Sequence, residues 1–573
     1  MVCPNCPGQM FFDIPSQMLK CSHCETLIDP GQYEITRHTE EHTAYEVTEF
    51  TCSQCGARIL STDVSAAGFC TYCGSAAVFE SRVSEEKEPD YIIPFQKTKE
   101  DCIKEYRKRL RRAIYAPAGM RDPAFLDRFT GVYVPYWVYE TEMEASPELT
   151  GTEEYRSGDY LHYKVYTLTA DVKGQYAVNF DASSFFHDET ATAIAPFRKD
   201  GMKPFTPAML SGFFADTADV DEATYLQEAK NKIGQDAYLK LVTRNFHGVS
   251  PAVPYGKSEM NKLFSLNKVK AKRALFPVWF LTWRDKERVA YAAMNAQTGK
   301  LAADIPIDPK RFLLGSLLLA VPLFFLYRML LTVTAPAALL ITFLAGCLFL
   351  FLYMKAGLRY CETECYESDI GVLARRHADR GGKADTRPVS EEYIPPETPA
   401  GLLKRGNRLQ GLDRLGIGSA GRAVFSAGMG LLMYLVLQGL LPALQRRARY
   451  NRGSSSLSST TLNSVSIVGV GKFVGVVAFA LICAVLIRFL WKSVRSGTMR
   501  PLLYGLPAFA GMIAAAVVLV MAPVSDLPYY LALVGVLAGE VLTFLGLIAV
   551  YNRLVTREAP HFHQREGGDQ LAP

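Results

Sequence analysis

The stretch TCSQCGARILSTDVSAAGFCTYCG, residues 51–74, sets two Cys-x-x-Cys pairs 14 residues apart. Each pair can turn two sulfurs toward one ion. Two such knuckles close a tetrahedral four-thiolate shell with no open position. Working outward, the same spacing occurs once more: Cys3, Cys6, Cys21 and Cys24 each precede Cys52, Cys55, Cys70 and Cys73 by 49 residues. The N-terminal region is thus a duplicated four-cysteine ribbon, expected over 1–45 and 46–83. A segment this short buries little apolar surface, so metal binding is expected to supply most of its folding energy. Closed shells predict two structural Zn2+ ions rather than catalytic ones. Eight unligated thiols, or pairing swapped between the sets, are the alternatives.

Eight of the 13 cysteines fall in these pairs. The pattern suits reduced thiolates in a cytosolic compartment better than a disulfide framework. MVCPNCPGQM has neither the basic nor the apolar region of a secretory signal peptide. Zinc ribbons often bind nucleic acid, and charge decides against it here. Residues 1–90 hold five Lys or Arg against fourteen Asp or Glu, a net of −9. A phosphate backbone demands the opposite sign. The ribbons therefore read as protein-docking or folding modules, followed by an expected solvated linker, SEEKEPD (84–90).

Residues 91–311 carry the pattern of a soluble α+β domain with an antiparallel sheet. In TKEDCIKEYRKRLRRAIY, Thr98 is a good N-cap, with Asp101 in the capping-box position. Ile103, Tyr106, Leu110 and Ile114 fall on one helical face, and Lys104, Arg107, Lys108, Arg109, Arg111 and Arg112 cover the rest. This basic face either meets anionic lipid or is an ordinary solvated face. GVYVPYWVYETEME (131–144), YLHYKVYTLTADV (160–172) and RALFPVWFLTWRD (273–285) read as strands. Residues 288–308 read as a hairpin around Thr298-Gly299, and 219–242 as a helix. Tyr136, Trp137, Trp279 and Trp283 are expected to pack in the core or on a sheet face.

PDYIIPFQKTKEDCIKEYRK, GVYVPYWVYE, KPFTPAMLSGFFAD (203–216) and LFPVWFLTW together resemble a bacterial family of zinc-ribbon integral membrane proteins. Its members carry labels as transcription-factor-IIB-type zinc-ribbon proteins or as primosomal-helicase relatives. The resemblance covers roughly residues 50–310. It implies a neighbourhood of membrane-protection proteins of the phage-shock and SPFH kinds and a role as their membrane docking partner. It implies no catalytic residues.

Most of the apolar excess lies after residue 311. Six stretches are long and apolar enough to span a bilayer: Phe312–Val333, Ala335–Met354, Ala423–Leu444, Phe473–Trp491, Pro501–Pro523 and Pro528–Tyr551. The expected organisation is a hairpin at 312–356, a basic cytoplasmic loop at 357–422, four spans over 423–551 and a tail at 552–573. Lys492, Arg495 and Arg500, then Arg553, Arg557 and Arg565, agree with both termini in the cytoplasm. Arg446, Arg447, Arg449 and Arg452 run against it. Glu540 falls mid-span, where a carboxylate is costly, just after Gly535-x-x-x-Gly539. It is either an ion- or proton-coupling site or a protonated acid bonded to a neighbouring helix. GIGSAG (416–421) matches a dinucleotide fingerprint only formally, because no strand precedes it.

No catalytic signature is present in the sequence. The reading is a non-enzymatic, multi-pass membrane adaptor or scaffold. Its zinc-ribbon head would hold a cytosolic protein partner at the bilayer, in envelope stress or membrane maintenance, and a homo-oligomer is left open. A transporter or channel-like protein with a regulatory zinc-binding head is the first alternative. A membrane-tethered nucleic-acid binder is the second.

Overall fold

The computed structural model describes residues 1–37, 44–61, 69–76, 79–157, 160–245, 250–251, 263–266, 268–330, 334–364, 500–521, 523–559, 562–565 and 568–571. The chain opens with a small antiparallel sheet of β1 (Met10–Asp13), β2 (Met18–Cys21) and β3 (Leu27–Ile28), followed by α1 (Pro30–Arg37). The second ribbon is β4 (Ala44–Cys52), flanked by β5 (Arg58–Ser61) and β6 (Phe79–Lys87). Ser84 to Lys87, expected as linker, extend β6 because β4 pairs along its whole length, from Ala44 opposite Lys87 to Cys52 opposite Phe79.

After β7 (Tyr91–Ile92), α2 (Lys99–Arg112) begins at the Thr98/Asp101 capping box that the sequence predicts. Its inward face is Cys102, Tyr106 and Leu110; the helix stops at Arg112, which leaves Ile114 62% exposed rather than buried. Then come β8 (Thr130–Ala145), β9 (Glu148–Ser157), β10 (Tyr160–Thr169) and β11 (Val172–Asp181). Next are α3 (Asp188–Ile194), β12 (Lys203–Pro204), β13 (Phe214–Asp216) and α4 (Leu226–Asn245). The helix expected over 219–242 thus starts seven residues late. The Trp137 indole and the Tyr139 hydroxyl donate to the carbonyls of Val220 and Glu222, which holds that approach in a turn. β14 (Ser250–Pro251), β15 (Lys270–Asp285), β16 (Arg288–Asn295) and β17 (Leu301–Ala303) complete the head, the last two as the predicted hairpin.

One twelve-stranded sheet runs β12-β7-β15-β8-β13-β5-β4-β6, with β11 on β8 and β16, β17 and a final short strand on the β15 side. The two echoing motifs, Val-Pro-Tyr-Trp in β8 and Phe-Pro-Val-Trp in β15, lie side by side at its centre, with Pro135 opposite Leu275 and Pro277 opposite Tyr133. Proline lacks the N–H of a central ladder and is normally confined to edges. Here each proline sits where its strand changes outer partner. β8 passes from β13 to β11 at Pro135, and β15 from β7 to β16 at Pro277. Both proline carbonyls point outward, accepting from Ala182 and Ala296, so each missing N–H also faces the gap. Tyr136 and Trp279 are buried and Trp137 and Trp283 partly buried, as core packing predicts.

Among the described residues four helices follow: α5 (Pro309–Leu330), α6 (Ala335–Glu364), α7 (Arg500–Met521) and α8 (Leu527–Val555). Three are long and apolar enough to cross a membrane, through Pro309–Leu326, Ala335–Gly357 and Leu527–Val555; α7 carries a shorter apolar stretch, Leu503–Leu519. The expected spans Ala423–Leu444 and Phe473–Trp491 lie outside the described residues, so six spans are not shown. Tyr353 of α6 sits against Gly505 of α7, and Tyr504 of α7 against Gly546 of α8. The end of α6, the start of α7 and the end of α8 therefore share one side.

That side is the head. After α8 the chain adds β18 (Arg557–Glu558) to β16. The Arg288 guanidinium donates to the carbonyls of Arg553 (2.8 Å) and Thr556 (2.6 Å) and to the Thr556 hydroxyl (2.8 Å). Asn552 exchanges two hydrogen bonds with the backbone of Ile307, just before α5. The first and last helices are thus fastened to the same sheet.

Candidate metal centres

The structure brings both predicted cysteine sets together. Among the described residues, Cys3/Cys6/Cys21/Cys24 and Cys52/Cys55/Cys70/Cys73 are the groups of three or more His, Cys, Asp or Glu whose ligand atoms lie within 4.8 Å of one another. Sulfur–sulfur distances are 3.6 Å (Cys3–Cys24), 3.5 Å (Cys6–Cys21) and 3.4 Å (Cys6–Cys24) in the first set. They are 3.8 Å (Cys52–Cys73) and 3.6 Å (Cys55–Cys70) in the second. A disulfide would need about 2.05 Å. A tetrahedron with metal–sulfur bonds of about 2.3 Å has edges of about 3.8 Å. The sulfurs therefore have the spacing of two sites that could each hold one metal ion.

The knuckle backbone explains this convergence. In the first set, the amides of Asn5, Gly8 and His23 donate to Cys3, Cys6 and Cys21 sulfurs, all at 3.4 Å, which fixes where the sulfurs point. The residue after the second cysteine of a pair takes a left-handed conformation at Glu25, Gly56 and Gly74 (φ 57°, 71° and 66°). At Gly56 and Gly74 the sequence supplies the residue that tolerates it. The Thr26 hydroxyl, 3.1 Å from Cys24 Sγ, lowers that thiol's pKa to about 6.

The two centres differ in setting. In the first, Cys24 is exposed and Cys6 half-buried. That ribbon is tied to the head by hydrogen bonds and by an apolar cluster that Met10, Phe12 and Leu19 share with Met209 and Phe213. The Ser211 hydroxyl donates to the Met10 carbonyl (2.6 Å), the Phe12 amide to the Ser211 carbonyl (3.1 Å) and the Gln17 amide to the Phe95 carbonyl (2.7 Å). In the second, all four cysteines are buried. β5 pairs with β13, placing this ribbon in the main sheet. Three successive knuckle carbonyls are held by the head: Thr71 by the Thr282 hydroxyl, Tyr72 by the Tyr291 hydroxyl (2.8 Å) and Cys73 by Arg284 (3.3 Å). The Tyr72 hydroxyl donates to Asp216 (2.5 Å). Burial pushes the Asp216 carboxyl up to about 7 and the Tyr72 phenol well above its usual value. These outer residues carry no sequence signal except Tyr72, which lies between the two knuckle cysteines.

Glu540 lies far from both centres, on α8. One carboxyl oxygen is buried and has no hydrogen-bond partner among the described residues. A Cβ at Gly346 of α6 would come within 2.5 Å of that oxygen and 2.7 Å of Met512 Sδ on α7. The glycine therefore opens the space the carboxyl occupies between three helices. Of the predicted close-packing pair, Gly539 is the tight one: its Cβ would meet the Pro507 carbonyl at 2.5 Å, whereas one at Gly535 would meet nothing within 4 Å.

The chain is 28% identical to the "uncharacterized protein YdjG" of Bacillus subtilis (strain 168) over 323 residues, which is 53% of this chain and 89% of that protein. No protein-family model and no solved structure matches it.

Proposed function

We propose that this chain is a multi-pass membrane adaptor whose cytoplasmic head, built around two structural Zn2+ sites, docks a protein partner at the bilayer. The observation that carries the reading is on the β9–β10 hairpin. Tyr155, Tyr160, Tyr163, Val165 and Tyr166 there are 37–76% exposed, on a head latched to α8 through Arg288 and β18. The register places Tyr155, Tyr160 and Tyr166 on one face of the hairpin and Tyr163 and Val165 on the other, so both faces offer exposed apolar side chains to a partner, and Tyr is favoured at interface centres. Val2 and Leu27, 52% and 48% exposed beside the first cysteine set, add a second patch. Sulfur spacing suited to a four-thiolate shell supports zinc, and the need to keep the thiols reduced supports a cytoplasmic head. The resemblance to zinc-ribbon membrane proteins suggests a partner of the phage-shock or SPFH kind. The test is crosslinking and affinity capture with the full chain in detergent, since β18 completes the head sheet. A protein retained by the wild type should be lost with Tyr160→Asp/Tyr163→Asp. Retention of the same proteins by that variant, or of none by the wild type, contradicts the reading.

A transporter is the second reading, favoured by the buried Glu540 oxygen that faces Gly346 and Met512 and has no hydrogen-bond partner among the described residues. Its test is ion or proton flux in proteoliposomes, which Glu540→Gln should abolish. Equal flux from the two proteins removes it.

A further inference from the structure

The basic face of α2 admits two readings from sequence, and the structure adds where that helix ends. Tyr115, three residues past Arg112, stacks edge-on against Phe312 of α5, with ring centroids 4.9 Å apart. The Tyr115 carbonyl accepts from the Asp308 amide (2.8 Å), and the Ala116 carbonyl accepts from Arg311 (3.2 Å). A Cβ at Gly315 would collide with the Tyr115 ring at 2.7 Å. The end of α2 is therefore fixed to the first turn of α5.

That turn is a polar-to-apolar boundary. Lys310 and Arg311 precede Phe312, and from Leu313 to Leu326 the large apolar side chains face outward, 40–68% exposed. In a bilayer this run meets hydrocarbon, and Phe312 with Tyr115 falls at headgroup level, where tyrosine is favoured. Three residues of chain span at most about 11 Å, so Arg112 lies close to that level, with Arg111 beside it. Lys104, Arg107, Lys108, Arg111 and Arg112 are all exposed. Lys108 pairs with Glu105 at 3.3 Å; among the described residues Arg107, Arg111 and Arg112 have no ion-pair partner. Exposed Ile114 adds an apolar anchor between the cations and the ring.

We infer that α2 is a lipid-reading element: its exposed cations, with Lys310 and Ile114, bind the anionic headgroups of the leaflet on the head side, while Arg311 is held by Asp308 and the Ala116 carbonyl. Four to eight Lys or Arg beside a membrane span are enough for such recognition. The attraction decays within a Debye length of about 8 Å at physiological salt, and this is why the Tyr115 splice matters: it brings the charge within range. The consequence is that the head is held against the leaflet in proportion to its anionic lipid content, independently of any protein docked elsewhere.

The test uses the full chain in nanodiscs of phosphatidylcholine, with or without about a third phosphatidylglycerol, followed by hydrogen exchange of α2 peptides. Each cation near an anionic surface contributes roughly a fivefold bias. Exchange over 99–112 is expected to slow at least fivefold in the anionic discs. The effect should vanish with Arg107→Gln/Lys108→Gln/Arg111→Gln/Arg112→Gln and persist with Arg107→Lys/Arg111→Lys/Arg112→Lys. All replaced side chains are exposed, and metal content checks that the head is intact. Equal exchange in the two lipids, survival of the slowing in the Gln variant, or the same slowing by inorganic phosphate in neutral discs would each overturn the inference.

Discussion

Losing one cysteine from each centre should have unequal consequences. Cys55 is fully buried and its ribbon shares the main sheet through β5 and β13. The knuckle at residues 70–73 is also anchored on β15 and β16 by Thr282, Arg284 and Tyr291. Structural zinc in zinc-finger peptides is associated with about 10–16 kcal/mol of folding free energy, whereas whole domains are stable by about 5–15 kcal/mol. Breaking the second centre therefore removes as much as the head possesses and leaves buried thiols unpartnered. Cys24 is exposed, and the ribbon around it is joined to the head by the Met10, Phe12 and Gln17 hydrogen bonds and by Met10, Phe12, Leu19 and Tyr33, which share a core cluster with Met209, Leu210 and Phe213. Its loss therefore costs the head those contacts but no strand of the main sheet. The assay is tryptophan-monitored thermal unfolding of the full chain in detergent, using Trp137, Trp279 and Trp283, with limited proteolysis alongside. Cys24→Ser should keep a cooperative transition within about 10 °C of the wild type and expose only the N-terminal ribbon to protease. Cys55→Ser should show no cooperative head transition. Matching unfolding and cleavage of the two variants would refute the reasoning.

The helix contacts make a paired prediction: Gly539→Ala forces a methyl into the Pro507 carbonyl and should lower stability by about 1–3 kcal/mol, while Gly535→Ala should leave it unchanged. Thermal unfolding in detergent reads both. Arg288→Ala removes three hydrogen bonds that fasten the end of α8; faster hydrogen exchange at 552–558, by at least tenfold for a loss of about 2 kcal/mol, is the expected result. For Asp216 the sign follows from a folded pKa of about 7 against about 4 unfolded. The folded state holds the proton more tightly, so this stabilisation is full below about 4 and is lost as pH rises through about 7. Wild-type stability should fall by about 1 kcal/mol from pH 6 to 7, and Asp216→Asn should flatten that slope in denaturant titrations.

Much of the site was legible because four-cysteine spacing is chemistry written locally. Cys-x-x-Cys leaves the knuckle few geometries, and Gly56 and Gly74 mark the turns that close it. The α2 start was legible for the same reason, since Thr98 and Asp101 satisfy each other's amides within three residues. Its end was not: periodicity placed Ile114 inward, but the chain leaves the helix at Arg112 to reach α5. The union of the second ribbon with the head sheet was also hidden, because β5–β13 pairing joins residues more than 150 apart. The stretches around Pro135 and Pro277 read as strands, but their place at the centre of the sheet was hidden, because it depends on the change of partners at each proline. The Arg288 and Asn552 latches join a surface-looking arginine to the last turn of an apolar helix, a contact that no local pattern encodes.

Elemental analysis of the purified full chain, combined with a count of free thiols after denaturation under chelation, tests the sealed-thiolate account most directly. The account predicts two zinc ions per chain and all eight ribbon cysteines reduced. A preparation that folds cooperatively with no bound metal, or with disulfides among Cys3, Cys6, Cys21, Cys24, Cys52, Cys55, Cys70 and Cys73, would contradict it.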